Sequence, residues 1–479
     1  MGDMNQRMAG VFAGIALAFV AVVGLLTWWQ LIAAGDLRDK DYNNQTAYYQ
    51  QRIKRGFICS ADGVVLARNR AERTQNGDTI YHRRYPQGSL AAHAVGYYTT
   101  GKSSTGVERT RNDALTGSTR ELASILGKLE GDETVVGDSV QLTINAKAQR
   151  IAERALGGRR GSVVALEPRT GRVLVMASAP SFDLNAVESN FGQVNGAAGS
   201  PLFNRATQAR YQPGSTFKIV TAATALEDGV PVDQTFPGGC KVKVLFGTIA
   251  NFGGSCHGPH DFATALTLSI NTTFAALGEQ VGAAKLRAQM EAFGFYSTPP
   301  LDGDLPSGEL RASGLYDGGK LLDAEGGVDA ARLAIGQKRL QVTPLQMAMV
   351  AAGVANRGRL MDPFLVEQVL APNGTVQHTT EPMEYRQVMS AANAEALGEM
   401  MQNVVREGTG TAAALTGIDV AGKSGTADTS SGNQVWFIAF APAESPRVAV
   451  AVTIEAQRTG ATGGVVAAPI ARDVLEALL

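Results

Sequence analysis

Ser215 and Lys218 stand one helical turn apart in Gln212-Pro213-Gly214-Ser215-Thr216-Phe217-Lys218, where Pro-Gly breaks the preceding chain and the serine opens a helix expected over residues 216–228. That spacing puts both side chains on one helix face. The rest of the helix, with Phe217, Ile219, Val220, Ala222, Ala223 and Leu226, is apolar nearly all round and is expected to be buried. Burial disfavours an ammonium ion and lowers its pKa, so a neutral amine can take the proton from a neighbouring serine. The helix N-terminus adds backbone N–H groups and positive dipole where an oxyanion would form. Alone, Ser-x-x-Lys is a weak signal, because a capping serine and a snorkelling lysine give the same pattern.

Two further motifs raise its weight. Ser269-Ile270-Asn271 offers a hydroxyl and an amide at a junction inside an otherwise helical stretch, residues 262–293, where a polar pair can sit on a cleft wall. Ser431-Gly432-Asn433 fits the same pattern but reads as a turn joining two late strands. Gly422-Lys423-Ser424-Gly425-Thr426 directly precedes those strands. On an edge strand it would present a cation and two hydroxyls to a substrate carboxylate, with Gly425 letting the ligand backbone come close. Each motif has an ordinary reading as a cap or a turn. Their conjunction in one order is what points to acyl transfer on a serine.

The elements that must position these residues follow from the pattern of the chain. With 479 residues, more than one folding unit is expected. From Met8 to Gly35 no residue is charged, which is long enough to cross a bilayer, and Trp28 and Trp29 come just after the apolar run Val11–Leu26, where an interfacial belt would sit. A cleavable signal ending at Ala33-Ala34-Gly35 is the alternative. The expected division is a tail at 1–8, a transmembrane helix at 9–34, a small module at 36–139 and a larger domain at 140–479. In the latter, Ser162–Leu166 and Val173–Ala177 flank a Pro-Arg-Thr-Gly turn as a hairpin, helices dominate the middle, and strands return at 435–440 and 448–454. Strands at both ends of one domain predict an α+β fold: an antiparallel sheet where the two ends meet, sandwiched by helices, with a helical lobe beside it. Near-balanced charge, 43 Lys and Arg against 44 Asp and Glu, argues against nucleic acid as a partner.

With these motifs in place, the chain resembles the penicillin-binding proteins, and within them the class B enzymes, which lack a glycosyltransferase domain, most of all their actinobacterial members. Arg55-Gly56-Phe57-Ile58, Gly106-Val107-Glu108, Asn204-Arg205-Ala206, Ile335-Gly336-Gln337 and Glu407-Gly408-Thr409-Gly410 carry the resemblance alongside the three motifs. Ser60-Ala61-Asp62 departs from it, replacing the family's polar stretch. The resemblance implies a penicillin-binding transpeptidase fold with a small N-terminal α/β module, in a single-pass protein of the cell membrane whose catalytic domain lies outside. It implies that Ser215 attacks the D-Ala-D-Ala carbonyl of a peptidoglycan stem peptide and that an amine of a neighbouring stem resolves the acyl-enzyme. Lys218 would be the base and Ser269 a proton relay. Asn271 would bind the substrate amide, and Lys423, Ser424 and Thr426 its carboxylate. β-Lactams would acylate Ser215, no metal or organic cofactor is needed, and cell-wall synthesis or division proteins are the expected protein partners. A β-lactamase or β-lactam sensor shares the acylation chemistry, and a non-catalytic division scaffold is the rival of another kind.

Cys240 and Cys256 bracket a Gly-rich segment expected outside the membrane, where disulfides persist, so they are expected to be bonded and Cys59 free. His257 and His260 beside Cys256 leave a zinc reading open.

Overall fold

An apolar helix begins the chain, Gly2–Thr27, and its segment Met8–Thr27 is long enough to span a membrane. The residues ahead of Met8, expected as a short tail, are helical from Gly2 onward and continuous with that segment. The computed structural model describes residues 2–28, 50–101, 103–118, 135–301, 303–322 and 328–479. Trp29, the alternative cleavage site and the polar run after it lie outside the described residues.

The first module is built on a six-stranded sheet. Ile58–Cys59 pairs in parallel with Ser139–Leu142 and antiparallel with Val65–Arg73, which pairs with Thr79–Arg84. The other edge is completed by Val366–Leu370 and Val376–Thr379, contributed from far along the chain. The sheet therefore runs across the division expected at 139/140. Glu108 stands at the centre of this module with no exposed surface. It accepts from Arg55 Nη2 at 2.9 Å and Arg83 Nε at 2.6 Å, so the two N-terminal signatures of the sequence meet in one buried ion network. Burial alone would raise its pKa, but Arg83 and Arg55 outweigh that effect and hold it below the usual carboxylate range.

The second unit is organised by a five-stranded antiparallel sheet in the order Ala421–Thr429, Gly432–Ala441, Val448–Gln457, Gly161–Leu166 and Val173–Ala179. The two ends of the domain meet where Ala449 pairs with Leu166. Because strand side chains alternate, each strand feeds two cores. Val163, Ala165, Val435, Phe437, Val450 and Val452 pack with the helices Ala146–Leu156 and Ala468–Leu478. Val164, Leu166, Trp436, Ile438, Phe440 and Ala451 face the core that holds Pro344–Ala355. Burial on both faces is why these strands read as unbroken apolar runs. It also leaves Ala421–Thr429 at the sheet edge, where a substrate can reach it.

Removing one partner of a buried ion pair strands a charge, which costs about 3–5 kcal/mol, whereas an exposed pair is worth about 0.2–1 kcal/mol. Urea unfolding of Glu108→Gln is therefore expected to show a loss in the first range. Asp419→Asn, which breaks the exposed Arg406–Asp419 pair, is expected to fall in the second.

Candidate active site

The nucleophile segment is not one helix from residue 216. A 3-10 turn over Gly214–Phe217 carries Ser215, and the α-helix begins at Lys218 and runs to Glu227. Gly214 sits at φ +53°, and a Cβ there would lie 2.5 Å from Thr426 O, so glycine is what lets this turn press against the edge strand. Gly336, at φ +73°, lies so close behind that a Cβ would meet Gly214 O at 2.0 Å. Ser215 is half-buried and lines a cleft of about 640 Å³ with Ser269, Asn271, Ser424 and Thr426.

Lys218 is fully buried, as its apolar helix requires. Its Nζ donates to Ser269 O and to Asn271 Oδ1, each at 2.8 Å, and lies 3.3 Å from Ser269 Oγ. The two short contacts match the two N–H bonds of a neutral amine and leave its lone pair for a hydroxyl proton. Burial first, and then the charge of Lys423, hold its pKa well below the ordinary lysine value. A direct Ser215–Lys218 hydrogen bond, which one-turn spacing suggests, is not formed among the described residues; the amine is held by the Ser269 motif instead.

Ser269 links the two lysines. It lies between the helices Phe262–Thr267 and Asn271–Ala292, at φ +57°. Left-handed backbone is costly for a serine and is tolerated where surrounding structure fixes it. Here the kink sends its carbonyl to Lys218 and sets its Oγ to accept from Lys423 Nζ at 2.9 Å. Asn271 donates to Ala250 O at 3.1 Å and accepts from Lys218, which leaves one amide proton for a ligand. Of Ser431-Gly432-Asn433, Ser431 lies in the turn after the edge strand, and Gly432 and Asn433 open the neighbouring strand, paired with Thr429 and Asp428.

The third motif departs from its expected arrangement in two respects. Strand alternation puts Ser424 and Thr426 on one face and Lys423 and Gly425 on the other. Lys423 consequently does not line the cleft; it is fully buried, donates to Ser269 Oγ and to Ser424 O, and burial lowers its pKa to about 7. Gly425 gives room to the protein rather than to the ligand: a Cβ there would lie 2.7 Å from Pro213 O and 2.9 Å from Thr216 Cγ2. Thr426 Oγ1 accepts from Gly463 N at 3.2 Å, so its own hydroxyl proton remains to donate.

Two contributors carry no chemical signal in the sequence. Thr409 lines the cleft with its Oγ1 2.6 Å from Ser424 Oγ; it belongs to a stretch noted above only for resemblance. Asn251, buried in a Gly-rich segment, accepts from Thr272 N at 2.9 Å and donates to Gly239 O and Ser255 O. It fastens the loop that forms the opposite cleft wall to the start of the Asn271 helix. A Cys240–Cys256 disulfide closes that loop, and Cys59 is free and buried. The zinc reading finds no support. The Cys256 thiolate is consumed, His260 engages Gly258 O and Thr273 Oγ1 with its two ring nitrogens, and no metal-binding cluster occurs among the described residues.

Comparison with known proteins agrees with this geometry. The profile of the penicillin binding protein transpeptidase domain matches residues 161–476, and that of the penicillin binding protein A dimerisation domain matches residues 55–140. The peptidoglycan D,D-transpeptidase PbpA of Mycolicibacterium smegmatis is 35% identical, over 99% of both chains. Among solved structures, the ceftriaxone acyl-enzyme of penicillin-binding protein A from M. tuberculosis superposes with a TM-score of 0.81 at 32% identity, covering 90% of this chain and 99% of that one. The D,D-transpeptidase domain of a peptidoglycan glycosyltransferase from Eggerthella lenta gives 0.77 at 37% identity, covering 89% and 98%. The chain belongs to the penicillin-binding protein transpeptidases, in their class B.

A depressed Lys218 pKa has a kinetic consequence. The acylation rate is expected to rise with pH as the residual ammonium loses its proton. Lys218→Ala is expected to slow acylation by about 10²–10⁴, the range for loss of a positioned base. Lys218→Arg is expected to be nearly as harmful because guanidinium stays protonated. Stopped-flow acylation of the folded variants measures both.

The loop wall gives a second expectation. Intact mass should increase by two hydrogens on reduction of Cys240–Cys256, with a loss of about 3 kcal/mol in urea unfolding for closure of a loop of this size.

Proposed function

We propose that this chain is a membrane-anchored serine D,D-transpeptidase that cross-links peptidoglycan stem peptides and is inhibited by β-lactams. The observation that carries the reading is a fully buried lysine amine, one turn from a cleft serine, held by two acceptors so that its lone pair is free. In the first half-reaction Ser215 Oγ attacks the carbonyl of the penultimate D-Ala, and its proton passes to Lys218 Nζ. The N–H groups of Ser215 and Thr426 receive the developing oxyanion. When the intermediate collapses, the C–N bond breaks and the leaving D-Ala nitrogen takes a proton through the Ser269 hydroxyl, which the two lysines resupply. Ser424 and Thr426 hold the leaving carboxylate, with Lys423 adding positive potential from beneath the strand, and Asn271 binds the substrate amide. In the second half an amine attacks the ester, loses a proton along the same relay, and Ser215 is released.

Helix Gly2–Thr27 is the single membrane anchor in this reading, with the bulk of the chain outside, where its polymeric substrate is. Residues 36–139 form an interaction module for cell-wall synthesis or division proteins, and residues 140–479 the transpeptidase domain. The N-terminal sheet, shared by both, would transmit docking to the domain. A β-lactamase needs a group that activates a deacylating water. Among the described residues the cleft lining offers one carboxylate, Asp428, two residues beyond Thr426 on the edge strand and without a hydrogen bond to Ser215, which favours a long-lived acyl-enzyme. The scaffold alternative leaves this assembled lysine pair without a purpose.

Incubation with benzylpenicillin followed by peptide mass spectrometry is expected to place one adduct, on Ser215, that persists far longer than the acylation step. Label on another residue, none on folded protein, or rapid turnover of penicillin would contradict the proposal.

A further inference from the structure

We infer that the hairpin over residues 65–84 of the first module docks on anionic phospholipid headgroups of the bilayer that holds the Gly2–Thr27 helix. The inference rests on the anchor reading above and adds a second membrane contact to it. In this hairpin Val65–Arg73 pairs with Thr79–Arg84, an edge strand of the six-stranded sheet. Asn69 and Arg83 turn inward, to the carbonyls of Arg55 and Gly56 and to the Glu108 carboxylate. Strand alternation then sends Arg68, Arg70 and Arg84 to the outer face, and all three are exposed.

The register makes that outer face cationic. Arg68 stands directly opposite Arg84, and Arg70 directly opposite His82. Like charges paired across two strands are destabilising, and none of the three arginines has a hydrogen bond or ion pair among the described residues. The carboxylate on this face, Glu72, lies towards the hairpin tip, 3.3 Å from His82 Nε2. Such a face costs the isolated fold something, and an anionic surface outside it relieves the cost. Phe57 narrows the chemistry of that surface. It precedes Ile58, which pairs with Ala67 on the inner face, so it stands level with Arg68 on the outer one, where it is 43% exposed. An aromatic ring among arginines suits the boundary of a bilayer, where the ring meets acyl chains and the guanidinium groups meet phosphate.

Connectivity favours a lipid over a free polyanion. Residues 28–49 join the helix to the module and, by the covalent reach of an extended chain, cannot span more than about 80 Å. A tether of that reach keeps the hairpin near one leaflet, where docking is an intramolecular event and a few weak charge contacts suffice. A docked hairpin would orient the larger domain as well, because the Val366–Leu370 strand of that domain belongs to the same sheet.

The test follows hydrogen–deuterium exchange of the full chain in nanodiscs of phosphatidylcholine alone and of phosphatidylcholine mixed with phosphatidylglycerol. One arginine near an anionic surface is worth about fivefold, so exchange over residues 65–84 is expected to be slower in the anionic discs by about fivefold or more. High salt is expected to remove the difference. The combined substitution Arg68→Gln, Arg70→Gln and Arg84→Gln is expected to remove it too, with benzylpenicillin still labelling Ser215 at the wild-type rate as the check on folding. The salt series uses wild-type protein, so it decides the matter should the variant fold poorly. Equal exchange of the wild type in both discs, or a difference that survives salt or the substitutions, would overturn the inference. Slowing that needs an added soluble glycerol-phosphate polymer and not the anionic lipid would reassign the face to that polymer. A chain that enters discs of neither composition would overturn the anchor reading, and this inference with it.

Discussion

Two fully buried lysine amines converge on one serine hydroxyl, and the rest of the catalytic domain is arranged around that fact. Two ammonium ions this deeply buried and this close are opposed by desolvation and by mutual repulsion, so at neutral pH the site holds fewer protons than two free lysines would. The protonation state that folding costs is the one that catalysis needs: one amine poised as a base and one positive charge behind the carboxylate site. Since both lysine pKa values are lowered on folding, the unfolded chain binds more protons, and this pair makes stability rise with pH between about 7 for Lys423 and the ordinary lysine value.

Holding that pair requires rigid walls on three sides. The edge strand brings Lys423 from beneath, and Gly425 lets the strand press directly on the nucleophile turn. The kink at Ser269 turns a helix end into an acceptor for one lysine and a bridge to the other. The disulfide loop, pinned by Asn251, braces Asn271 through Ala250 O. None of these contacts is itself chemical, yet each fixes the direction of a group that is.

Much of this was legible in the sequence because it rests on local pattern. The apolar surround of Lys218 announced its burial, the unbroken apolar runs at 435–440 and 448–454 announced strands covered on both faces, and the order of three motifs announced the reaction class. Where the sequence misled, a non-local packing choice decided. Period-2 alternation placed Lys423 below the cleft instead of in it, and Gly425 serves the approach of Pro213 and Thr216, contacts from more than 200 positions away that no local spacing encodes. The left-handed backbone of Ser269 is likewise invisible, since serine carries no signature of that conformation as glycine would. Thr409 and Asn251 escaped for a related reason: a lone hydroxyl or amide has meaning only through its partner, and both partners are distant in the chain or ordinary in type. The sharing of the first module's sheet with Val366–Leu370 was hidden in the same way.

The central claim concerns the protonation of Lys218 in the resting enzyme, and it can be read without any substrate. Heteronuclear NMR of lysine side chains, labelled at the terminal carbon and nitrogen and assigned by difference from Lys218→Arg, would follow each amine through a pH titration. The account predicts that Lys218 titrates well below the ordinary lysine range and that its resonance moves with the protonation of Lys423. A Lys218 ammonium that persists to the pH where exposed lysines lose their protons would contradict it.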